Sequence, residues 1–308
     1  MRVLVAGGAG YIGSHTCKTL AEAGHVPVVY DNLHTGHRWA VKWGAFEQGD
    51  LNDGVRLGDV MRKHRPEAVI NFAALAYVGE STREPTRYYR ANVAGMVSLL
   101  EAMRAHDVGS IVFSSSCATY GVPQRLPIVE DMPQSPINPY GQTKLMGERI
   151  LRDACSFEGL GAVALRYFNV FGPRQRADSP YSGVIAIFAA LLAQGRVPTV
   201  HGDGLQSRDF VYIDNVVAGN LAAAAAPNVG GKRFNVAAGK SYSLLDLMEE
   251  LNVILQSSFE PVFEPARVGD VRDSLADIAA AGRELGYQPI VGFREGLRKT
   301  VEFYRTQV

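Results

Sequence analysis

Cysteine is scarce in this chain of 308 residues, and the three it has do not suggest pairing. Cys17, Cys117 and Cys155 are odd in number and far apart, and no C-x-x-C occurs. Neither a disulfide framework nor a zinc site is expected, and no metal enters the reading. An excess of charge of one sign is also lacking. Lys plus Arg and Asp plus Glu stand at 31 each, a formal net charge of zero. That balance argues against a broad nucleic-acid face and against a polybasic membrane patch. No apolar run reaches membrane-spanning length, and the alanines at 222–226 lie in an amphipathic context. The apolar part of M-R-V-L-V-A-G-G-A-G is too short for a signal peptide, and no cleavage pattern follows. These absences predict a reducing, cytoplasmic setting.

What is present is ordinary globular composition, 47% hydrophobic and 20% charged, enough for one large domain or two lobes. Short apolar runs alternate with helical stretches through the first half. Strands are expected at 3–6, 26–30, 45–48, 68–73, 110–115 and 161–167. Helices are expected at 12–23, 55–64, 89–106 and 140–158. This pattern predicts a doubly wound parallel α/β sheet covered on both faces, a Rossmann-type fold. Beyond residue 170 the pattern loosens. The run F-G-P-R-Q-R-A-D-S-P at 171–180 reads as loop, and helices are expected at 246–256 and 275–285. The expected division is a cofactor domain of residues 1–170 and 210–238 and a smaller mixed α/β substrate lobe of 171–209 and 239–308.

The first strand runs directly into Gly7-Gly8-Ala9-Gly10-Tyr11-Ile12-Gly13, and a helix follows. Glycines at 7, 10 and 13 permit a tight turn, close approach of backbone to a pyrophosphate, and close packing of helix on strand. The helix N-terminus then faces the negative charge. Asp31 ends the second strand, where a carboxylate meets the adenosine ribose hydroxyls and repels a 2′-phosphate. NAD is therefore favoured over NADP. Asn32 follows Asp31, and Asp50-Leu51 ends the third strand, placed to meet adenine. A turn-forming role for Asp31 is the competing explanation, and the surrounding motif makes it the weaker one.

Proton chemistry points to N-P-Y-G-Q-T-K at 138–144. Pro139 suits the first turn of a helix. Tyr140 and Lys144 then share one helix face. A cation beside a phenol is expected to lower its pKa and make it an acid or base near neutrality. Ser114, Ser115 and Ser116 end a central strand, where open α/β sheets gather ligand chemistry. Ser116 can converge with Tyr140 on one substrate oxygen. Asn92 is placed to hold a water or a backbone carbonyl near Lys144. Read singly, the tyrosine–lysine pair also fits a packed surface contact, Asn92 a helix-bending polar residue, and the serines strand-end caps.

In order, G-x-x-G-x-x-G, D-N-L, G-D-L, F-A-A-L (72–75), S-S-S-C-A-T-Y-G and Y-x-x-x-K resemble the extended short-chain dehydrogenase/reductase superfamily. With V-G-E-S (78–81) and R-Y-F-N-V-F-G (166–172), the resemblance narrows to the UDP-glucose 4-epimerase family, over nearly the whole chain. It implies a resident NAD, bound with help from Phe72, Ala73, Ala74 and Tyr167, and Tyr140 as base sharing a hydrogen bond with Ser116. It implies transfer of hydride from sugar C4 and its return to the opposite face through a 4-keto sugar. Dehydratase and decarboxylase branches carry an acid just after the catalytic Ser or Thr; here Cys117 and Ala118 follow Ser116. The resemblance places Asn169 and Arg208 on the diphosphate, Arg267 and Asp270 on phosphate and ribose, and Val200 and His201 beside uracil. A surface ion pair of Arg208 with Asp209 and a plain turn at R-V-G-D are the bland alternatives. Ala76 stands where the family often has a lysine, which predicts weaker NAD retention. Ser274 stands where a tyrosine restricts some members, which predicts room for an N-acetyl group. The partner expected is a UDP-sugar, together with a second copy of the chain packed through the 89–106 and 140–157 helices. Leu99, Met103, Met146 and Ile150 are placed on those helices' outer faces, a placement equally consistent with burial inside one subunit. A 4-epimerase of another nucleotide sugar, such as UDP-glucuronate or a UDP-pentose, a net NAD-dependent dehydrogenase with free NAD exchange, and a non-catalytic NAD-sensing protein are the remaining readings.

Overall fold

Seven parallel strands form the sheet that positions everything else, and they come from both halves of the chain. The computed structural model describes residues 1–178, 182–227, 229–266 and 271–306. The first strands and helices are β1 (Arg2–Ala6), α1 (Tyr11–Glu22), β2 (Val26–Asp31), β3 (Ala45–Gln48), α2 (Gly54–His64) and β4 (Ala68–Asn71). Two single-turn helices follow, α3 (Val78–Ser81) and α4 (Pro85–Tyr88), then a π-helical segment Tyr89–Ala94 that runs into α5 (Gly95–Ala105). Next come β5 (Ser110–Ser116), α6 (Pro139–Glu158), β6 (Gly161–Tyr167), β7 (Asn169–Phe171) and α7 (Val184–Ala193). The remainder comprises β8 (Thr199–His201), β9 (Ser207–Tyr212), α8 (Ile213–Ala225), β10 (Lys232–Val236), β11 (Ser241–Ser243), α9 (Leu244–Leu255), β12 (Val262–Glu264), α10 (Ala279–Leu285) and α11 (Phe293–Arg305).

The large sheet has the order β10-β6-β5-β4-β1-β2-β3. Strand order reverses between β1 and β4, and such a switch point leaves a crevice at the carboxyl ends of the strands. The strands are buried on both faces, which is why they read as unbroken apolar runs. A three-stranded sheet β11-β9-β7 and a parallel pair β12-β8 are the other sheets among the described residues. Their apolar partners form a separate core of Phe171, Ile185, Phe188, Val200, Phe210, Leu247 and Phe293. Among the described residues no helix is long and apolar enough to cross a membrane.

Local chemistry explains α6, the helix that carries the tyrosine and lysine. Asn138 caps it, its side-chain oxygen accepting from the Gly141 N–H at 2.8 Å. Pro139 occupies the first turn, and Gly159 ends the helix in the left-handed region. Gly147 lets α6 lie close on the sheet, because a Cβ there would stand 2.7 Å from the Phe113 ring of β5.

Three expectations are corrected. The 89–106 helix is not uniformly α-helical but begins as a π-helical stretch through Asn92. The 275–285 helix begins only at Ala279, because Ala276 bridges to Ile128 in a β-type contact. Leu99 and Met103 do not face outward: they are 0% and 1% exposed, packed in the core beneath α5.

Gly147→Ala is expected to cost about 1–3 kcal/mol of stability through overpacking against Phe113. Urea unfolding of the variant beside the parent protein checks this, and unchanged stability would show that α6 has slack on the sheet.

Candidate functional site

A cavity of about 400 Å³ opens at the carboxyl ends of β1, β2, β4, β5 and β6. Its floor is the glycine turn. Gly7 adopts φ +76°, and a Cβ there would meet the Ala73 N at 2.6 Å; one on Gly13 would meet the Gly7 carbonyl oxygen at 2.2 Å. The turn is thus closed against the β4 end on one side and against its own helix on the other. From there the lining runs through Asp31, Asn32, Asp50 and Leu51 at one end to Ser114, Ser116, Tyr140, Lys144 and Tyr167 at the other. Phe72, Ala73, Ala74 and Ala76 line the wall between. The glycine motif and the tyrosine–lysine motif, 133 positions apart by their first residues (140 − 7), therefore share one chamber.

Asp31 is buried and accepts from the backbone N–H groups of Ala9 at 2.9 Å and Leu33 at 2.8 Å. Burial raises its pKa, and those two hydrogen bonds oppose the rise. Asp50 accepts from the Asn32 side chain at 2.7 Å, which ties together the ends of β2 and β3. Burial works to raise Asp50 too, but hydrogen bonds from Asn52 and Asn32 prevail and hold it low.

At the other end, Lys144 is buried and donates to the Ser114 carbonyl at 2.6 Å. Its Nζ lies 5.0 Å from the Phe113 ring centre and 5.8 Å from that of Tyr140. The pKa values depart from the expectation of a phenol lowered by its lysine. Burial pushes Tyr140 up to about 12, with the Ser116 hydroxyl bond pulling it back and Cys117 adding to the rise. Burial pushes Lys144 down to about 7. A lysine that is readily neutral, with its ammonium directed at a carbonyl, does little for a phenolate. Burial favours the phenol form of Tyr140, and positive charge brought beside it would favour the phenolate.

Asn92 sits in the π-helical turn. Its side-chain oxygen accepts from the Leu75 N–H at 2.8 Å, and its amide donates to the Leu75 carbonyl at 3.0 Å and to Thr143 at 2.9 Å. It holds a backbone carbonyl beside the lysine helix rather than touching Lys144. Tyr167 donates to the Asn220 side chain, and burial raises its pKa strongly.

The predicted sugar-nucleotide residues are distributed less evenly. Asn169 donates weakly to the Ser274 hydroxyl and to the Asp209 carbonyl, both at 3.3 Å. Ser274 is buried beside it. Arg208 donates to the carbonyls of Ser207 at 2.9 Å and Arg272 at 2.7 Å; burial pushes the nearby Cys117 thiol up to about 11, and the Arg208 charge opposes that rise, so Arg208 stands near the Ser116 end. Asp209 is not its ion-pair partner: that carboxylate is fully buried and accepts from the N–H groups of Ala238, Gly239 and Ala276. Val200 turns its side chain into the apolar core, and His201 lies 3.6 Å from Glu264. Arg267 and Asp270 lie outside the described residues.

Sequence reasoning missed Arg174, Gln175 and Ser182, which also line the cavity. Arg174 reaches Ser14 at 3.2 Å and His15 Nδ1 at 3.0 Å, and lies over the Trp43 ring. His15 therefore carries its proton on Nε2, donated to the Pro173 carbonyl, and burial with Arg174 lowers its pKa to about 4. Basic residues in a Pro/Gly-rich loop after a strand were the available signal. The buried oxygens of Tyr11, Gln175 and Ser182 have no hydrogen-bond partner among the described residues. Orphaned polar atoms around a glycine cradle fit a ligand with its own polar groups, as a dinucleotide has.

Fold order, glycine cradle and the Tyr140/Lys144/Ser116 cluster together define a Rossmann-type protein of the short-chain dehydrogenase/reductase class. The chain belongs to the NAD dependent epimerase/dehydratase family, whose model matches residues 3–237. It is 38% identical over 304 residues to the UDP-glucose 4-epimerase of Rhizobium meliloti, covering 93% of this chain and 92% of that protein. Among solved structures it is similar to the UDP-glucose 4-epimerase of Thermotoga maritima with UDP-glucose, at TM-score 0.96 and 37% identity, covering 100% of this chain and 99% of that one. It is also similar to the UDP-N-acetylglucosamine 4-epimerase of Methanobrevibacter ruminantium in complex with UDP-N-acetylmuramic acid, at TM-score 0.94 and 34% identity, covering 100% and 99%.

The Lys144 environment has a consequence for stability in protein stripped of NAD. Folded Lys144 releases its proton near pH 7, whereas an ordinary lysine does so near 10.5. Between those values the unfolded chain binds more protons, so stability rises with pH across that window. Denaturation from about pH 6.5 to about pH 9.5 is expected to show this rise in the parent and several kcal/mol less of it in Lys144→Met. Parallel profiles would contradict a neutralised, buried lysine.

Proposed function

We propose that the chain is an NAD-dependent UDP-hexose 4-epimerase. It interconverts UDP-glucose and UDP-galactose and also accepts UDP-GlcNAc and UDP-GalNAc. The observation that carries this reading is the common cavity of the glycine cradle, Asp31 and the Tyr140, Ser116 and Lys144 cluster. Residues 1–170 and 210–238 are assigned to the cofactor domain, and 171–209 and 239–308 to the sugar-nucleotide lobe.

Gly7, Gly10, Tyr11, Ile12 and Gly13 would hold the pyrophosphate of NAD, and Asp31 with Asn32 its adenosine ribose. Asp50, Leu51 and the Phe72–Ala74 wall would face the adenine and the nucleotide body. When bound, NAD would supply the hydride acceptor and a positive charge that favours the phenolate of Tyr140. That charge answers the need left by the neutral tendency of Lys144. Tyr140 as phenolate takes the proton of the sugar 4-OH, and Ser116 donates a hydrogen bond to the same oxygen. Bound NAD would supply removal of hydride from C4 and its return to the opposite face of a 4-keto sugar, while Tyr140 would hold the O4 proton and give it back. Asn169, Arg208, Arg267 and Asp270 are assigned to the diphosphate and ribose, so that the nucleotide stays fixed while the hexose rotates.

The breadth toward N-acetyl sugars rests on Ser274, a small residue bonded to Asn169. A homodimer is also proposed, through the outer faces of α5 and α6. Val97 is exposed on the first, and Phe157 is 86% exposed on the second. The setting is taken to be cytoplasmic.

Proton NMR of products, after incubation with UDP-galactose and UDP-GalNAc without added NAD, tests the reading. Conversion of both is expected. Tyr140→Phe is expected to lose at least about a hundredfold in turnover while still binding NAD. Ser274→Tyr is expected to keep UDP-galactose conversion and lose that of UDP-GalNAc; retention of both would remove the argument for an open C2 pocket.

A further inference from the structure

The end of β5 is gripped from behind by a buried ion pair that the reaction itself does not use. Arg166 is 0% exposed. Its Nη2 donates to Glu148 Oε2 at 2.6 Å and its Nε to Glu148 Oε1 at 2.9 Å, a bidentate pair. Its Nη1 donates to the Tyr120 hydroxyl at 2.7 Å and to the Glu130 carbonyl at 2.9 Å, with the guanidinium over the Tyr120 ring. Glu148 accepts further from Ser115 Oγ at 2.5 Å and from Gln134 at 2.9 Å. These bonds tie β5, β6, α6 and the loop after β5 at one level.

A buried ion pair is a weak device for stability, since desolvation costs about what attraction returns. What it does well is fix direction and distance. Arg166 is the direct cross-strand partner of Ser115 in the β5–β6 register. Glu148 lies one helical turn beyond Lys144 and two beyond Tyr140. Ser115 is flanked by Ser114, whose carbonyl holds Lys144, and by Ser116, whose hydroxyl opposes the rise that burial imposes on the Tyr140 phenol. Moving Ser115 relative to α6 therefore moves both contacts together.

We infer that Arg166 and Glu148, acting through Ser115, are positioning residues that set Ser116 against Tyr140 and Lys144 against the Ser114 carbonyl. The inference rests on Tyr140 being the acid–base group proposed above.

Ser115→Ala removes the link with little loss of volume and leaves the ion pair in place; Ser115→Thr retains the hydroxyl. With NAD bound, Ser115→Ala is expected to lower kcat about tenfold to a hundredfold at unchanged KM and unchanged UDP affinity. The Tyr140 phenol, titrated by ultraviolet difference against Tyr140→Phe in the same background, is expected to ionise at higher pH in Ser115→Ala. Ser115→Thr is expected to restore both values. Glu148→Gln is expected to act in the same direction if it folds. A reduced melting temperature with kcat and phenol titration unchanged would overturn the inference and leave the network purely structural. The titration needs no substrate turnover. A parent protein that converts no UDP-hexose would therefore overturn the functional reading without deciding this one.

Discussion

The hydrogen bond from Lys144 to the Ser114 carbonyl is the contact on which the site depends. It joins the helix that carries the tyrosine to the strand that carries the serines. Two local features make it possible. Asn138 and Pro139 start α6 at the right residue, and Gly147 lets that helix approach Phe113 closely enough for the lysine to reach the strand end. The same burial has an electrostatic price: both the lysine and the phenol are pushed toward their neutral forms. Burial alone therefore favours the neutral forms of both groups, and positive charge brought into the cavity would favour the phenolate.

The two ends of the cavity are built on different terms. At the nucleotide end, backbone does most of the work. The glycine turn closes against β4, and Asp31 is oriented by two N–H groups. At the reacting end, side chains are set by other side chains and by the π-helical turn that directs Asn92 onto Leu75 and Thr143. Rigid backbone suits a resident dinucleotide, and a networked, buried cluster suits proton transfer at a fixed oxygen.

Much of this was legible in the sequence, for identifiable reasons. The strand–glycine–helix unit and the Tyr140/Lys144 spacing are local patterns, and local patterns survive without coordinates. The doubly wound parallel sheet follows from the alternation of apolar runs with helical stretches, whereas β10 at its edge lies in the half where that pattern loosens. What was not legible depends on long-range burial. Arg166 reads as one residue in R-Y-F-N, yet it meets Glu148 inside the protein. The family resemblance set Leu99 and Met103 on an outer face or inside one subunit without deciding between them; both belong to the core beneath α5. The expected lowering of Tyr140 by Lys144 considered charge alone; desolvation, invisible in sequence, outweighs it. Arg174 was passed over because a Pro/Gly-rich loop gives no direction to its side chains, although it braces His15 behind the glycine turn.

The central claim is that hydride leaves C4 of the sugar and returns to the same carbon without leaving the cavity. Incubation of the purified protein with UDP-galactose deuterated at C4, followed by NMR of the product, reads this directly. The account predicts UDP-glucose that retains its deuterium at C4. Product in which deuterium has been replaced by solvent hydrogen would contradict it, as would accumulation of a ketone with reduced cofactor.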